Sequence, residues 1–181
     1  MYWILFVMGA IAALVIALLV GGLVTPRVHT LARTVVVPRA AAETWAVIRE
    51  VGRYADWRHD LEFAEVVDTD QPQPRWRETS TRGSVTFGIT RDVAPTTMVA
   101  VILDEDLPIE GEWTWTVTPE GDGTRVTITE RGSIKNPIIR FIAAHLLGYH
   151  RSMDTYLRAL AQHLGVARPE PVDGTPNTVT A

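Results

Sequence analysis

The sequence predicts an α+β domain, a curved antiparallel sheet of about seven strands around a long C-terminal helix, with one apolar helix ahead of it. Three observations carry this. Residues 2–24 lack any charge, residues 61–134 alternate in the manner of consecutive strands, and residues 136–165 repeat apolar side chains at helical spacing. A chain of 181 residues has room for one such domain and its appendages.

Residues 2–24 read as a membrane helix. At about 1.5 Å per residue the run reaches roughly 34 Å, beyond the roughly 30 Å of a bilayer core. A cleaved signal peptide would carry a basic start, a shorter apolar stretch and a small-residue cleavage site. Only Met1 and Tyr2 precede the apolar core, and the exit Gly-Gly-Leu-Val-Thr-Pro-Arg is a poor cleavage signal, so a retained anchor is expected. No Lys or Arg lies before this segment, whereas Arg27, Arg33 and Arg39 follow it, which predicts a single-pass protein of the cell membrane with its soluble part on the cytoplasmic side. Gly9, Ala13, Ala17 and Gly21 recur every fourth residue, a stripe that would let two copies pair in lipid as a homodimer.

A short linker, 25–30, leads to a β-branched strand over 31–37 that Pro38 ends. Residues 40–51 form a helical stretch with Ala41, Trp45 and Ile48 on one face, closed by Gly52 and an aromatic turn through Tyr54 and Trp57. Strands follow over 61–68, 74–81, 84–93, 96–104, 110–118 and 124–134. The terminal helix is apolar at Ile142, Leu146, Tyr149, Met153, Leu157, Leu160 and Leu164. Residues 166–181, with three prolines and no apolar period, are expected as a disordered tail.

Within this frame, Val37-Pro38-Arg39-Ala40, then Glu43-Thr44-Trp45-Ala46-Val47-Ile48, then Tyr54 and Trp57, resemble the opening of the SRPBCC superfamily, which includes START domains and polyketide cyclase/dehydrase and lipid-transport proteins. The resemblance covers residues 31–165. It implies a helix-grip fold with a large apolar cavity between sheet and terminal helix. No single reaction is implied, because superfamily members include enzymes, carriers and sensors.

Strand alternation assigns faces. Trp113, Trp115 and Val117 share one face, and Val126, Ile128 and Glu130 share another; pairing Val117 with Val126 sets Trp115 by Ile128 and Trp113 by Glu130. A slip of one residue would set apolar against polar throughout. A turn at Arg82-Gly83 sets Glu78 opposite Phe87 and Trp76 opposite Ile89, with Arg91 continuing the Val85, Phe87, Ile89 face. The ligand-binding candidates are therefore Trp76, Glu78, Phe87, Arg91, Trp113, Trp115 and Glu130, with Tyr149 and Met153 from the terminal helix. Desolvation raises the pKa of a carboxyl buried beside tryptophan, which suits a general acid, but a strand-end position near the mouth would leave such a group solvated or ion-paired. Trp45 and Trp57 are assigned to packing the early helices, His29 and His59 to loops, and His145 and His150 to the border of the terminal helix's buried face.

Function classes narrow from composition. A charge of −4 with dispersed arginines gives no basic patch for nucleic acid. The chain has no cysteine, no histidine pair with metal-ligand spacing, no Gly-rich phosphate loop and no G-x-S-x-G motif, so no metal, cofactor or catalytic nucleophile is proposed. The first expectation is a membrane-tethered module that binds or transfers a hydrophobic small molecule such as a lipid, quinone or polyketide-like compound. A cyclase or dehydratase using pocket acid–base groups is the second, and a protein-interaction domain with a collapsed cavity is the third.

Overall fold

The computed structural model describes residues 2–68 and 73–177. The elements run α1 (Tyr2–Val24), β1 (Val28–Val37), α2 (Ala41–Arg49), a 3-10 turn (Val51–Asp56), β2 (Phe63–Asp68), β3 (Arg75–Ser80), β4 (Gly83–Val93), β5 (Thr97–Ile102), β6 (Ile109–Glu120) and β7 (Gly123–Ile134). They continue with α3 (Pro137–Ile142), a π-helical turn (Ala143–Leu147), α4 (Arg151–His163) and β8 (Val172–Asp173). The strands form one antiparallel sheet in the order β2-β3-β4-β5-β6-β7-β1-β8. This is the expected α+β helix-grip arrangement.

The core lies between the sheet and α4. Met153, Tyr156, Leu157, Leu160 and Ala161 form the buried stripe of α4, at the i, i+3, i+4, i+7, i+8 spacing of an amphipathic helix. They meet Trp115, Val117, Val126 and Ile128 from β6 and β7. α2 and the 3-10 turn close one end, burying Trp45, Ile48, Tyr54 and Trp57, so both early tryptophans pack as expected. Tyr54 donates to the Ile48 carbonyl at 2.6 Å and receives the Tyr156 hydroxyl at 3.2 Å. Burial pushes the phenols of Tyr54 and Tyr156 well above their ordinary range.

Four expectations change. β1 begins at Val28 rather than residue 31, which shortens the expected 25–30 linker. Among the described residues the sheet has eight strands, because part of the expected disordered tail adds β8 to the outer edge of β1, pairing Val172 with Thr34 and Asp173 with Arg33. Arg33 fixes this edge through Asp154 of α4 (2.6 Å), Asp173 and the Pro171 carbonyl. Residues 178–181 of that tail lie outside the described residues.

The third change is to the terminal helix, which is two pieces rather than one. Asn136 caps α3 by accepting from the Ile138 and Ile139 amides, with Pro137 in the first turn. Gly148, at φ 76, then turns the chain before α4. The two pieces bury different faces: α4 packs on the sheet, while α3 packs on the end of α1. One straight helix could not serve both partners.

Last, the β3–β4 hairpin turns through Thr81-Arg82, so Trp76 pairs with Phe87 and Glu78 with Val85. That is a shift of two residues from the expected register, which preserves every face.

Candidate functional site

β6 and β7 pair as expected, Trp113 opposite Glu130, Trp115 opposite Ile128, Val117 opposite Val126. At the end of the sheet where β6 begins and β7 ends, the side chains of α4 no longer fill the concave face. A cavity of about 240 Å³ remains there. Its wall is mainly apolar, from Val85, Phe87, Ala100, Ile102, Ile109, Trp113 and Ile134, and Tyr149 and the exposed Ser152 line it from the helical side. The volume is below the roughly 300–1,000 Å³ of a drug-sized pocket and above the roughly 150 Å³ that takes one benzene, so it suits one or two rings or a short acyl segment. It reaches solvent beside Ile109 and Glu110, which are exposed. The collapsed cavity of the third expectation is not observed.

Three carboxylates line this space: Glu110 at the opening pairs with Lys135 at 2.9 Å, and the two inner ones are held by partners within the domain. Glu130 accepts from the Trp113 indole at 2.7 Å, and its other oxygen lies 3.0 Å from His29 Nε2. The His29 ring stacks on Tyr149, with centroids 3.8 Å apart and planes 9° from parallel. Gly132, opposite His29, makes room for this: a Cβ there would lie 2.5 Å from the His29 ring. His29 Nδ1 is buried without a hydrogen-bond partner among the described residues. Burial raises the Tyr149 phenol above its ordinary range, against the opposing pull of Arg140.

The second inner carboxylate, Glu78, accepts from the Trp76 indole at 3.0 Å and from Arg58 at 2.8 Å. Arg58 is 8% exposed, binds Asp60 at 2.8 Å with its other nitrogen, and lies over the Tyr54 and Tyr156 rings. Burial disfavours its charge, but Glu78 and Asp60 outweigh that and hold it firmly protonated.

Of the expected ligand-binding residues, Glu78, Phe87, Trp113, Glu130 and Tyr149 border the cavity. Trp76, Trp115 and Met153 lie behind its wall in the packed core. Arg91 does not approach it. A bulge between Ile89 and Arg91 breaks the alternation of β4 and turns Arg91 outward, while Asp92 takes the inward position and binds Arg49 at 2.7 Å. His29 and Arg58, the partners of the two inner carboxylates, are among the cavity residues that sequence reasoning missed. His29 was legible in principle, since it continues the phase of Leu31, Val35 and Val37 once β1 is extended to Val28. Arg58 had no such signal, because it follows an irregular turn. Among the described residues, no cluster of His, Asp and Glu could hold a metal ion.

Comparison with known proteins agrees with this geometry. The sequence signature of the family described as polyketide cyclase / dehydrase and lipid transport matches residues 28–165. The fold is similar to the aromatase/cyclase Zhui from Streptomyces sp. R1128, with TM-score 0.61 at 16% identity over 76% of this chain and 93% of that one. A START superfamily protein from Mycobacterium smegmatis has TM-score 0.59 at 15% identity, over 75% of this chain and 97% of that one. The di-domain aromatase/cyclase StfQ of the steffimycin biosynthetic pathway has TM-score 0.62 at 12% identity over 76% of this chain, which spans 50% of that protein's length. A search of curated proteins finds no match.

Proposed function

Because the chain belongs to the polyketide cyclase / dehydrase and lipid transport family of the SRPBCC superfamily, we propose that it binds or transfers a hydrophobic small molecule beside a membrane. One observation carries the binding reading over a catalytic one. The two inner carboxylates of the cavity are already engaged within the chain, Glu78 with Arg58 and Trp76, Glu130 with Trp113 and His29. What remains for a ligand is an apolar wall, with the outer lone pairs of the two carboxylates to orient a hydroxyl or similar donor. A lipid, quinone or polyketide-like compound fits that description.

The membrane part of the proposal rests on α1, which is long and apolar enough to cross a bilayer. We assign residues 2–24 as the anchor and residues 28–165 as the binding domain, on the cytoplasmic side by the arginine bias that follows the helix. Only Thr25, Pro26 and Arg27 separate the two elements, so the cavity stays where apolar molecules concentrate.

A cyclase or dehydratase is the second reading, favoured by the His29–Glu130 pair at 3.0 Å, a geometry that suits proton transfer. Native mass spectrometry of the full chain released from lipid nanodiscs tests both. A stoichiometric apolar ligand on the wild type, lost in Ala100→Trp, which fills the cavity, is the expected result. A folded wild type that carries no ligand from a total lipid extract would overturn the binding reading. A ligand altered by wild type and unaltered by Glu130→Gln would favour the enzyme.

A further inference from the structure

The join between α1 and the domain is a packed, hydrogen-bonded contact. Arg140 of α3 donates to the Gly22 carbonyl at 2.9 and 2.6 Å and to the Ile134 carbonyl at 3.1 Å, so one guanidinium bonds the end of α1 to the end of β7. Gly22 lies so close to α3 that a Cβ would stand 1.9 Å from the Pro137 carbonyl oxygen. Gly21 faces the Phe141 ring, where a Cβ would stand at 2.6 Å, so the C-terminal member of the Gly9, Ala13, Ala17, Gly21 stripe is occupied within the chain rather than free for a second copy. The Thr25 hydroxyl lies 3.4 Å from His145 Nε2.

This contact fixes the height of the α3–π segment relative to α1. If α1 spans a bilayer, its last turn lies at the boundary of hydrocarbon and headgroups, and the segment that crosses it lies there too. The exposed positions of this segment are mainly apolar. Ile139, Leu146 and Leu147 are 40%, 70% and 55% exposed. Between Asn136 and Gly148 the sole residue of fixed charge is Arg140, which is buried on its two carbonyl partners. Immediately beyond Gly148 come Tyr149 and Ser152, which line the cavity, and Ile109 at its opening is exposed on the same end of the sheet.

We propose that Ile139, Leu146 and Leu147 insert into the bilayer that holds α1, seating the cavity mouth on the lipid surface so that an apolar ligand passes between membrane and cavity without crossing water. The occupant of this face is lipid because the face is continuous with the end of α1, and an interfacial helix buries its apolar side at that depth. The proposal rests on the reading of α1 as a span, and its test separates the two.

The chain contains no cysteine, so single labelling sites are clean. Leu147→Cys, Val15→Cys in mid-α1 and Asp122→Cys in the far β6–β7 turn, each carrying an environment-sensitive fluorophore, are made in the full chain. They are reconstituted in phosphatidylcholine/phosphatidylglycerol vesicles with lipids bearing a nitroxide at shallow or deep positions. The expected result is that the label at 147 shifts to the blue and loses most of its emission to the shallow nitroxide. The label at 15 responds to the deep one, and the label at 122 to neither. If 15 is quenched and 147 behaves like 122, the seating is overturned while the anchor stands. If 15 is not quenched, the anchor reading falls and the seating falls with it. A label at 147 that leaves water without lipid quenching means that protein covers the face, which also overturns the proposal.

Discussion

Trp113 and Glu130 face each other across β6 and β7, and the indole N–H donates to the carboxylate at 2.7 Å. The bond joins the apolar wall of the cavity to its polar corner, because the second oxygen of Glu130 holds His29, which in turn stacks on Tyr149. Removing the carboxylate therefore strands two donors at once. Glu130→Leu is expected to cost about 1–3 kcal/mol through the unmet indole and imidazole. Glu130→Gln, which retains one acceptor oxygen, is expected to cost less than about 1 kcal/mol. Urea unfolding of the two variants checks the order, and equal losses would show that the bonds to Glu130 do not support the fold.

Gly132 permits the His29 stack. A Cβ at this position meets His29 Cε1 at 2.5 Å and Nε2 at 2.6 Å. Gly132→Ala is expected to destabilise by about 1–3 kcal/mol, as overpacking does. The cost should be relieved in the double variant with His29→Ala, which removes the clashing ring. Strict additivity in the double-mutant cycle would count against the clash.

Arg58 neutralises Glu78 inside the protein. Arg58→Met removes the cation and leaves a buried carboxylate with the Trp76 indole as its remaining partner among these contacts, at an expected cost of about 3–5 kcal/mol. Adding Glu78→Gln to Arg58→Met should recover a substantial part of that. Thermal unfolding of the single and double variants measures the recovery, and its absence would place the loss in packing against Tyr54 and Tyr156 instead.

High pH should unfold the domain through its two buried phenols. Tyr54 and Tyr156 have values raised by burial, so above about pH 10 the unfolded chain releases protons that the folded chain retains. Their contribution is complete below about pH 10 and is lost as pH rises through the folded-state values. Tyr156→Phe should flatten the fall in stability above about pH 10, measured by denaturant titration across that range. An unchanged slope would assign the alkaline loss to other groups.

Much of the fold was legible because side-chain period and burial agree locally. The alternation Trp113, Trp115, Val117 against Val126, Ile128, Glu130 excludes a one-residue slip, and the register that pairs Val117 with Val126 is observed. The β3–β4 hairpin was legible only to within two residues, since a two-residue slip keeps every face and costs the pattern nothing. Arg91 was misread because a bulge adds a residue without any mark in the local pattern.

The sequence by itself determined the apolar length of α1, the antiparallel α+β architecture and the inward faces that bring Trp113 and Glu130 together. Each follows from the period of side chains along one element or between two neighbours. Only the tertiary structure decided that His29 completes the Glu130 corner, that Arg58 returns from an irregular turn to hold Glu78, and that the terminal helix breaks at Gly148 so that α3 can pack on α1. Those contacts join residues 20 to 118 positions apart, where geometry is set by how whole elements pack. A local period carries no information about that.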